Sequence, residues 1–445
     1  MSKVRIYQGK VEDWIDQIPD NSMDAAAFDP PYGLGKQPSK KVLAQIIMGW
    51  LTGQAVEVGG AGFKNRKWDN FVPSPQTYEK IYRKLKPGAY AVVFAGDRTQ
   101  QLMGLSLMLA GFEICTTLPW LYSGGNPLKS MDMSKAIDRK LGKFDERPVK
   151  GTKRTNVGLQ GGNYGTKSAT GNVAVTGSAT PEAEAWEGYG TDLMPFYEPW
   201  ILVQKPLDGS FAENALKHGV GGLYNGSGRE DGMTGNVIID QVIANDLGTR
   251  ARYYQLAPFT VDDLYHSKAR RAERDAGCET LPVKKFARTN PGGMDKEPRY
   301  APIDVKNDHD CVKPLSLVKF LAELVLPPAR EGEPRRVLVP YSGSGSEIIG
   351  CLLAGWDEAI GIELDEKPLM EPDPDRPGKE RPVKDADGET VMVDAGHCDV
   401  AEARIRHWTR EELGAEASVE VVRRAAEAKP AGPAAQMSLF DVIAQ

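Results

Sequence analysis

The stretch VLVPYSGSGSEIIGCLLAGWDEAIGIEL, residues 337–364 of the 445-residue chain, decides the fold class. Its first four residues, VLVP, are apolar and predict a buried strand. A loop of small residues at 342–346 follows, and then the apolar run 347–354, which predicts a helix. A second apolar run, AIGIEL at 359–364, predicts another buried strand. Strand, helix and strand in this order are typical of an α/β protein with a parallel sheet.

The loop between this strand and this helix contains Gly343 and Gly345. Glycines after a strand let backbone N–H groups approach a ligand closely, although they also occur in ordinary tight turns. Glu363 lies 20 positions after Gly343 at the end of the next strand, where an acidic side chain can accept hydrogen bonds from both ribose hydroxyls of a nucleoside. A solvated carboxylate is the alternative for Glu363. The next glycine after Gly345 is Gly350, which does not fit the dinucleotide pattern and favours a single nucleoside over NAD.

Another apolar run, SMDAAAF at residues 22–28, predicts a buried strand that ends at Asp29, Pro30, Pro31 and Tyr32. The two prolines remove two N–H donors, so this loop offers rigid carbonyls and a carboxylate, which only accept hydrogen bonds. Such a loop suits an exocyclic –NH2 group. Hydrogen bonds from that group to Asp29 and to the Pro30 carbonyl would free the nitrogen lone pair for in-line attack. Tyr32 offers a face for base stacking, and the alternative is a plain Pro-Pro turn.

Composition excludes several classes of protein. Hydrophobic residues make up 41% of the chain and charged residues 26%, as in globular proteins. No stretch reaches the roughly 18 apolar residues of a membrane helix, and the N-terminus lacks a secretory signal, so a cytoplasmic, soluble protein is expected. The five cysteines form no CxxC pair, so we expect neither a disulfide framework nor a metal centre.

Charge is distributed unevenly, although the formal net charge is only −6. Residues 135–167 contain nine basic and three acidic residues, and residues 268–299 contain nine basic and five acidic residues. Residues 331–399 contain seven basic and seventeen acidic residues. Residues 151–190 are rich in Gly, Thr, Asn and Ser and predict long loops. Basic loops of this kind bind a polyanion or form a solvated linker, and composition leaves both interpretations open.

Together, DPPY at residues 29–32 and YSGSG at residues 341–345 resemble the catalytic and cofactor motifs of the amino-methyltransferases that modify DNA with S-adenosylmethionine. The order of the motifs, with the catalytic loop first and the glycine loop after a long middle segment, is similar to the β-group of that family. Further stretches are similar to its phage and prophage members: residues 64–68, 86–98, 111–120, 197–206, 218–223 and 407–408.

The resemblance implies a fold, a cofactor and a reaction. The fold is a Rossmann-like, doubly wound, mostly parallel sheet of the class I methyltransferase type, with an antiparallel strand near one edge. The reaction is methyl transfer to the N6 amine of an adenine flipped out of double-stranded DNA, with the N4 amine of cytosine as the alternative. Catalysis is assigned to residues 29–32. The expected S-adenosylmethionine site consists of Asp29, Lys313, Tyr341, Ser342, Gly343, Ser344, Gly345, Ser346 and Glu363.

The same resemblance divides the chain into four successive parts, and the basic stretches of the second part are expected to contact phosphates. The parts are a catalytic half (1–130), a basic target-recognition region that includes core strands at about 195–206 (131–310), a cofactor-binding half with an exposed insertion at 368–396 (311–410), and a tail (411–445).

The tail carries a separate signal, QMSLF at residues 436–440, after a Pro- and Ala-rich linker. This pentapeptide resembles the motif by which many DNA enzymes bind the bacterial replication sliding clamp, with Gln436, Leu439 and Phe440 as contact residues. Packing of the tail on its own domain is the alternative.

Other functions stay open at the level of the sequence. Val339 and Lys10 stand where the family usually has acidic residues, which would fit a degenerate copy that binds DNA without turnover. An NAD-dependent dehydrogenase would explain the glycine loop but neither DPPY nor the basic stretches. The proton can leave after methyl transfer, so His218 and His309 are expected to be structural rather than catalytic. A monomer or homodimer and a restriction-modification role are compatible with the resemblance.

Overall fold

The computed structural model describes residues 2–54, 56, 67–122, 131–156, 170–191, 197–224, 264–286, 303–374, 380–385, 388 and 390–423. The strands are β1 (Lys3–Gln8), β2 (Met23–Phe28), β3 (Leu85–Phe94), β4 (Glu113–Leu121), β5 (Val149–Asn156), β6 (Thr170–Thr176), β7 (Tyr197–Gln204), β8 (Lys284–Phe286), β9 (Ile303–Val305), β10 (Arg336–Pro340), β11 (Glu358–Glu363), β12 (Glu366–Pro368), β13 (Met370–Pro372), β14 (Glu380–Pro382), β15 (Met392–Asp394) and β16 (Ser418–Arg423). The helices are α1 (Val11–Trp14), α2 (Lys40–Thr52), α3 (Pro75–Lys84), α4 (Gln100–Leu109), α5 (Met133–Lys140), α6 (Pro181–Glu184), α7 (Phe211–His218), α8 (Arg271–Asp275), α9 (Leu315–Leu324), α10 (Ser346–Leu353) and α11 (His397–Leu413). Among the described residues, no helix combines the length and apolar character needed to cross a membrane.

An eight-stranded sheet forms the centre of the structure, in the order β16-β1-β11-β10-β2-β3-β7-β4. Its neighbouring strands are parallel, except that β7 is antiparallel to β3 and to β4. The chain moves from β2 outward to β3, and from β10 in the opposite direction to β11. The order therefore reverses between β2 and β10, which is where α/β proteins form a crevice at the carboxyl ends of their strands. The doubly wound, mostly parallel sheet expected from the sequence is confirmed.

Two apolar layers bury the sheet on both faces. Residues on alternate positions of β2 face opposite layers, with Ala25 and Ala27 in one and Ala26 and Phe28 in the other. Helices α1 to α4 contribute to the layer around Phe28, and helices α9 to α11 contribute to the other. Because all six residues of β2 are buried, the strand is fixed from both sides, and so is the start of the loop that follows it.

Three segments differ from the sequence-based expectation. The loops expected at 151–190 include the antiparallel hairpin β5–β6 and helix α6. The hairpin consists mostly of small and polar residues, so it shows no alternation of apolar and polar residues that would predict strands. The insertion at 368–396 contains the short ladder of β13 with β14, and a second ladder, β12 with β15, closes its base. Part of the tail expected from residue 411 belongs to the fold, because residues 418–423 form β16 beside β1. Glu420 and Arg423 give this edge strand a charged sequence, which is why it was expected to be part of a solvated tail.

Candidate active site

The two motif loops leave neighbouring strands at the crevice. DPPY follows β2 and YSGSG follows β10, and Leu338 of β10 lies opposite Ala26 of β2. The Tyr341 ring lies 6.4 Å from the Phe28 ring, centroid to centroid. Residues about 300 positions apart in the sequence therefore meet at one place, as the resemblance implies.

Asp29 is the first residue after β2, and its side chain is only 7% exposed. Its Oδ2 atom accepts a hydrogen bond from Lys313 Nζ at 2.5 Å. Its Oδ1 atom is buried and has no hydrogen-bond partner among the described residues. Buried carboxylate oxygens are costly to leave unpaired, so this oxygen indicates a donor that a ligand would supply.

Lys313 connects three acceptors at the centre of the site. Its Nζ atom lies 2.5 Å from Asp29, 3.0 Å from the Tyr32 hydroxyl and 3.6 Å from Glu198. Burial alone would lower the pKa of Lys313, but the carboxylates of Asp29 and Glu198 more than offset this effect and raise it. The ammonium therefore stays charged and faces the catalytic loop. The resemblance implies a cofactor contact for Lys313, whereas its observed partners belong to the loop that carries Asp29 and to β7.

Glu198, at the start of β7, extends this ion network. It accepts hydrogen bonds from Lys268 at 2.7 Å and from the Tyr32 hydroxyl at 3.3 Å. Burial would raise the pKa of Glu198, but Lys313 and Lys268 lower it, so the carboxylate remains charged. Neither Glu198 nor Lys268 was expected in the site from the sequence. The available signal was a charged residue in an otherwise apolar strand, Tyr197–Gln204.

Tyr32 is held at both ends. Its hydroxyl joins Lys313 and Glu198, and its backbone carbonyl accepts a hydrogen bond from Thr99 Oγ1 at 2.6 Å. Burial, together with the charges of Asp29 and Glu198, raises the pKa of Tyr32 well above its ordinary value, so the side chain is a neutral phenol. A ring held in this way gives a fixed face beside Asp29.

The glycine loop requires its glycines. Gly343 and Gly345 have φ values of +51° and +82°, in the left-handed region. A Cβ atom on Gly343 would lie 2.9 Å from His309 Cε1. The N–H of Gly343 donates to Glu363 Oε2 at 2.7 Å, and burial raises the pKa of Glu363. The loop thus fixes one oxygen of the carboxylate that the sequence singled out.

The serines of this loop turn towards the protein interior. Arg404 Nη1 donates to the Ser344 carbonyl at 2.6 Å and to the hydroxyls of Ser344 and Ser346, each at 3.1 Å. Arg404, Ser342, Ser344 and Ser346 are all buried. The side chains of Ser344 and Ser346 therefore anchor the loop to Arg404 on its buried side. Arg404, on α11, gave no signal in the sequence.

Glu347 is another residue that the sequence analysis missed. It lies in the first turn of α10, and it is 4% exposed. Burial, and then the neighbouring charge of Asp29, raise the pKa of Glu347 to about 8. A neutral carboxyl is therefore expected beside Asp29 and Lys313 at neutral pH.

The two basic stretches differ in how their side chains are used. In the stretch 268–299, four basic residues contact the protein itself, and contact of this stretch with phosphates stays a prediction. They are Lys268 (to Glu198, 2.7 Å), Arg271 (to the Asn307 carbonyl, 2.8 Å), Arg274 (to the His309 carbonyl) and Lys284 (to Asp308, 2.7 Å). Arg274 is buried, and the partners hold all four side chains in place.

In the stretch 135–167, Arg147 is buried in an ion pair with Asp138, which also accepts hydrogen bonds from Ala179 N and Thr180 Oγ1. This cluster joins α5 to α6. Lys140 and Lys150 of the same stretch are exposed, and Lys150 also pairs with Glu187 at 3.4 Å. The remainder of the basic stretches, at 157–167 and 287–299, lies outside the described residues, as do Gln436, Leu439 and Phe440.

Comparison with known proteins gives no match to a protein-family model and no match among curated proteins. Solved structures of DNA methyltransferases do match. The chain is similar to TTHA0409 of Thermus thermophilus, provisionally named a DNA modification methylase and solved with S-adenosyl-L-methionine (13% identity, 95% of this chain, 99% of that chain, TM-score 0.36). It is also similar to the M1.HpyAVI–SAM complex (12% identity, 81% and 92% covered, TM-score 0.31) and to the cytosine-N4-specific PvuII DNA methyltransferase (10% identity, 94% and 95% covered, TM-score 0.39). These superpositions are loose, so any functional assignment depends on the residues of this chain.

Proposed function

We propose that this protein transfers a methyl group from S-adenosylmethionine to the exocyclic N6 amine of an adenine in double-stranded DNA. The observation that carries the proposal is Asp29 Oδ1, a buried acceptor without a partner among the described residues at the end of a strand beside the sheet's switch point. An –NH2 group supplies the donor that this oxygen lacks. The Pro30 carbonyl, in the same rigid loop, provides the second acceptor.

The chemistry follows from these acceptors. S-adenosylmethionine supplies, when bound, an electrophilic methyl group on a positively charged sulfur. Hydrogen bonds to Asp29 and Pro30 would localise the amine lone pair on nitrogen and orient it for in-line attack on that methyl group, with the C–S bonding electrons left on sulfur. The nitrogen loses its extra proton after transfer. Lys313 holds Asp29 through Oδ2, so Oδ1 keeps a fixed direction. Because the proton leaves only after methyl transfer, the site needs no histidine base.

The glycine loop and Glu363 fit the nucleoside part of the proposed cofactor. Gly343 has no side chain to block the loop, and its N–H fixes Glu363 Oε2. The carboxylate has a second oxygen with which to accept ribose hydroxyls. The side chains of Ser344 and Ser346 are engaged by Arg404, so backbone groups of residues 342–346 are the parts of the loop that we assign to the cofactor.

DNA is the proposed partner. A base in a duplex must be flipped to reach Asp29, at a cost of a few kcal/mol that stacking and phosphate contacts offset. Exposed lysines at 131–191, among them Lys140 and Lys150, are our candidates for phosphate contacts. The same proposal includes docking on a sliding clamp through Gln436, Leu439 and Phe440. It also includes a cytoplasmic location and a phage or restriction-modification setting.

The test uses the purified chain, S-adenosylmethionine with a labelled methyl group, and DNA that lacks methylation. We expect Asp29→Ala to lower transfer at least about a hundredfold at saturating S-adenosylmethionine, with thermal unfolding to confirm that the variant is folded. Asp20→Ala is the matched control, because Asp20 precedes the same strand but is 51% exposed and pairs with Lys84. Equal transfer by the Asp29 and Asp20 variants would contradict the proposal.

A further inference from the structure

A second cluster of side chains lies beside the glycine loop. His309 precedes the Lys313 segment, Glu363 ends β11, and His397 begins α11. One potential ligand atom from each residue can be chosen so that all lie within 4.8 Å of one another. Among the described residues, no other group of three or more His, Cys, Asp and Glu side chains brings its ligand atoms this close together.

The spacing is close to that of a metal site. Two ligands on a tetrahedral zinc ion, each about 2.1 Å from it, lie about 3.4 Å apart. The distances between the three ligand atoms, at most 4.8 Å, would have to shorten by up to about 1.4 Å to place them on one ion. The rings of His309 and His397 already meet edge to face, with centroids 4.7 Å apart and planes at 82°.

Neighbouring groups orient both rings as they do in metal proteins, where the second ring nitrogen usually contacts a carbonyl or a carboxylate. His309 Nδ1 lies 2.9 Å from the Cys311 carbonyl. This contact favours a proton on Nδ1 and thus a lone pair on Nε2. His397 lies between two carboxylates, with Nε2 3.6 Å from Asp308 and Nδ1 3.7 Å from Asp365.

The insertion after β11 completes this cluster. Pairing of β12 with β15 places Glu366 opposite Asp394, so the chain returns to the place from which it left. Asp365 then accepts hydrogen bonds from the backbone N–H groups of His397 and Cys398, at 2.6 and 2.9 Å. His397, 34 positions after Glu363 in the sequence, is thereby fixed beside it.

The local charge favours a cation. Three carboxylates, those of Glu363, Asp308 and Asp365, surround two histidines, and Lys284 pairs with Asp308 at 2.7 Å. Two imidazoles and a carboxylate form a ligand set that suits zinc and similar transition metals, whereas Mg²⁺ and Ca²⁺ prefer oxygen ligands.

We propose that His309, Glu363 and His397 bind a zinc-type divalent ion, and that the ion and the nucleoside part of the cofactor exclude each other at Glu363. The binding of the ion depends on the three side chains alone. The exclusion rests on the proposed function, because it requires the ribose to bind to Glu363. Metal binding would then switch the protein off by competition, without any change of fold.

The experiment titrates Zn²⁺ into the intact, metal-stripped protein against a chromophoric chelator. We expect one ion per chain, and affinities at least about tenfold lower for His309→Gln and for His397→Gln. His218→Gln is the matched control, since His218 pairs with Asp208 outside the cluster. Thermal unfolding of each variant confirms that it is folded. Unchanged zinc affinity in both cluster variants, or no saturable zinc binding by the folded original protein, would overturn the site.

The exclusion is measured in the same titration. S-adenosylmethionine at 100 times its own dissociation constant should raise the apparent dissociation constant for zinc about a hundredfold. A zinc affinity that ignores bound S-adenosylmethionine would overturn the exclusion. Histidine-dependent zinc binding by a protein that does not bind S-adenosylmethionine at all would support the metal site and contradict the proposed function, so the two failures are distinguishable.

Discussion

Replacing Glu347 with Gln should make the protein progressively more stable than the original as the pH rises. The folded-state pKa of Glu347 is about 8, against an ordinary value of 4.5. A raised folded-state pKa means that the fold holds the proton more tightly than the unfolded chain does. The contribution of the neutral carboxyl is therefore complete below pH 4.5 and is lost as the pH approaches 8. Gln does not titrate, so the variant escapes this loss.

The magnitude follows from the same two pKa values. The difference in unfolding free energy between Glu347→Gln and the original should grow by about 1.4 kcal/mol per pH unit between the two pKa values, to a total on the order of 5 kcal/mol. Urea unfolding at several pH values between about 5 and 9 measures this difference. Glu411→Gln is the matched control for removing a carboxylate, because Glu411 is an exposed residue of α11. A Glu347→Gln difference that does not change with pH would refute the placement of a buried, neutral Glu347 beside Asp29.

Three further predictions concern the loops and the basic surface. Lys313→Met leaves the carboxylates of Asp29 and Glu198 without this cation and should cost about 3–5 kcal/mol of unfolding free energy, measured by urea unfolding; a cost below about 1 kcal/mol would contradict the ion network. Gly345→Ala adds a Cβ at φ +82° and 3.1 Å from Ala401, and it should destabilise the protein by more than Gly332→Ala, which has φ +74° but open space; equal melting temperatures would contradict crowding at the loop. Neutralising Lys140 and Lys150 together should reduce the slope of log affinity for DNA against log salt by about two, and an unchanged slope would remove both lysines from the DNA surface.

The sequence predicted the elements whose signals are local. The strand–loop–helix–strand pattern at 337–364 corresponds to β10, α10 and β11, because apolar runs and glycines report local conformation directly. The meeting of Asp29 with the glycine loop came from the order of motifs in a known family. No local pattern contains it, since the two loops are about 300 residues apart and meet through the pairing of β10 with β2.

The sequence did not predict the groups that control charge in the site. Glu198, Lys268 and Arg404 act through partners that are distant along the chain, and Glu347 titrates abnormally only because the fold buries it. Burial and long-range pairing are properties of the tertiary structure, so residue type and spacing do not identify the partners of these residues; the one local signal was the charge of Glu198 in an apolar strand. For the same reason, the basic stretch at 268–299 was expected on the surface, although Arg274 is buried.

The ion network explains how a buried carboxylate can serve as an acceptor. Lys313 neutralises the charge of Asp29 through one oxygen, and Glu198 and Lys268 hold Lys313 and Tyr32 in position. Such preorganisation means that the protein does not need to rearrange when an amine binds. It also places the cost of assembling the charges in folding rather than in catalysis.

The central claim is that Asp29 accepts a hydrogen bond from the amine of a DNA base during methyl transfer. Mass spectrometry of nucleosides, from the DNA of methylation-deficient cells that express the chain or its Asp29→Ala variant, tests it most directly. The account predicts N6-methyladenine with the original chain and none with the variant. N4-methylcytosine would keep the mechanism and change the base. Neither methylated nucleoside, from a folded chain that binds S-adenosylmethionine and DNA, would contradict the account and indicate a protein that binds DNA without modifying it.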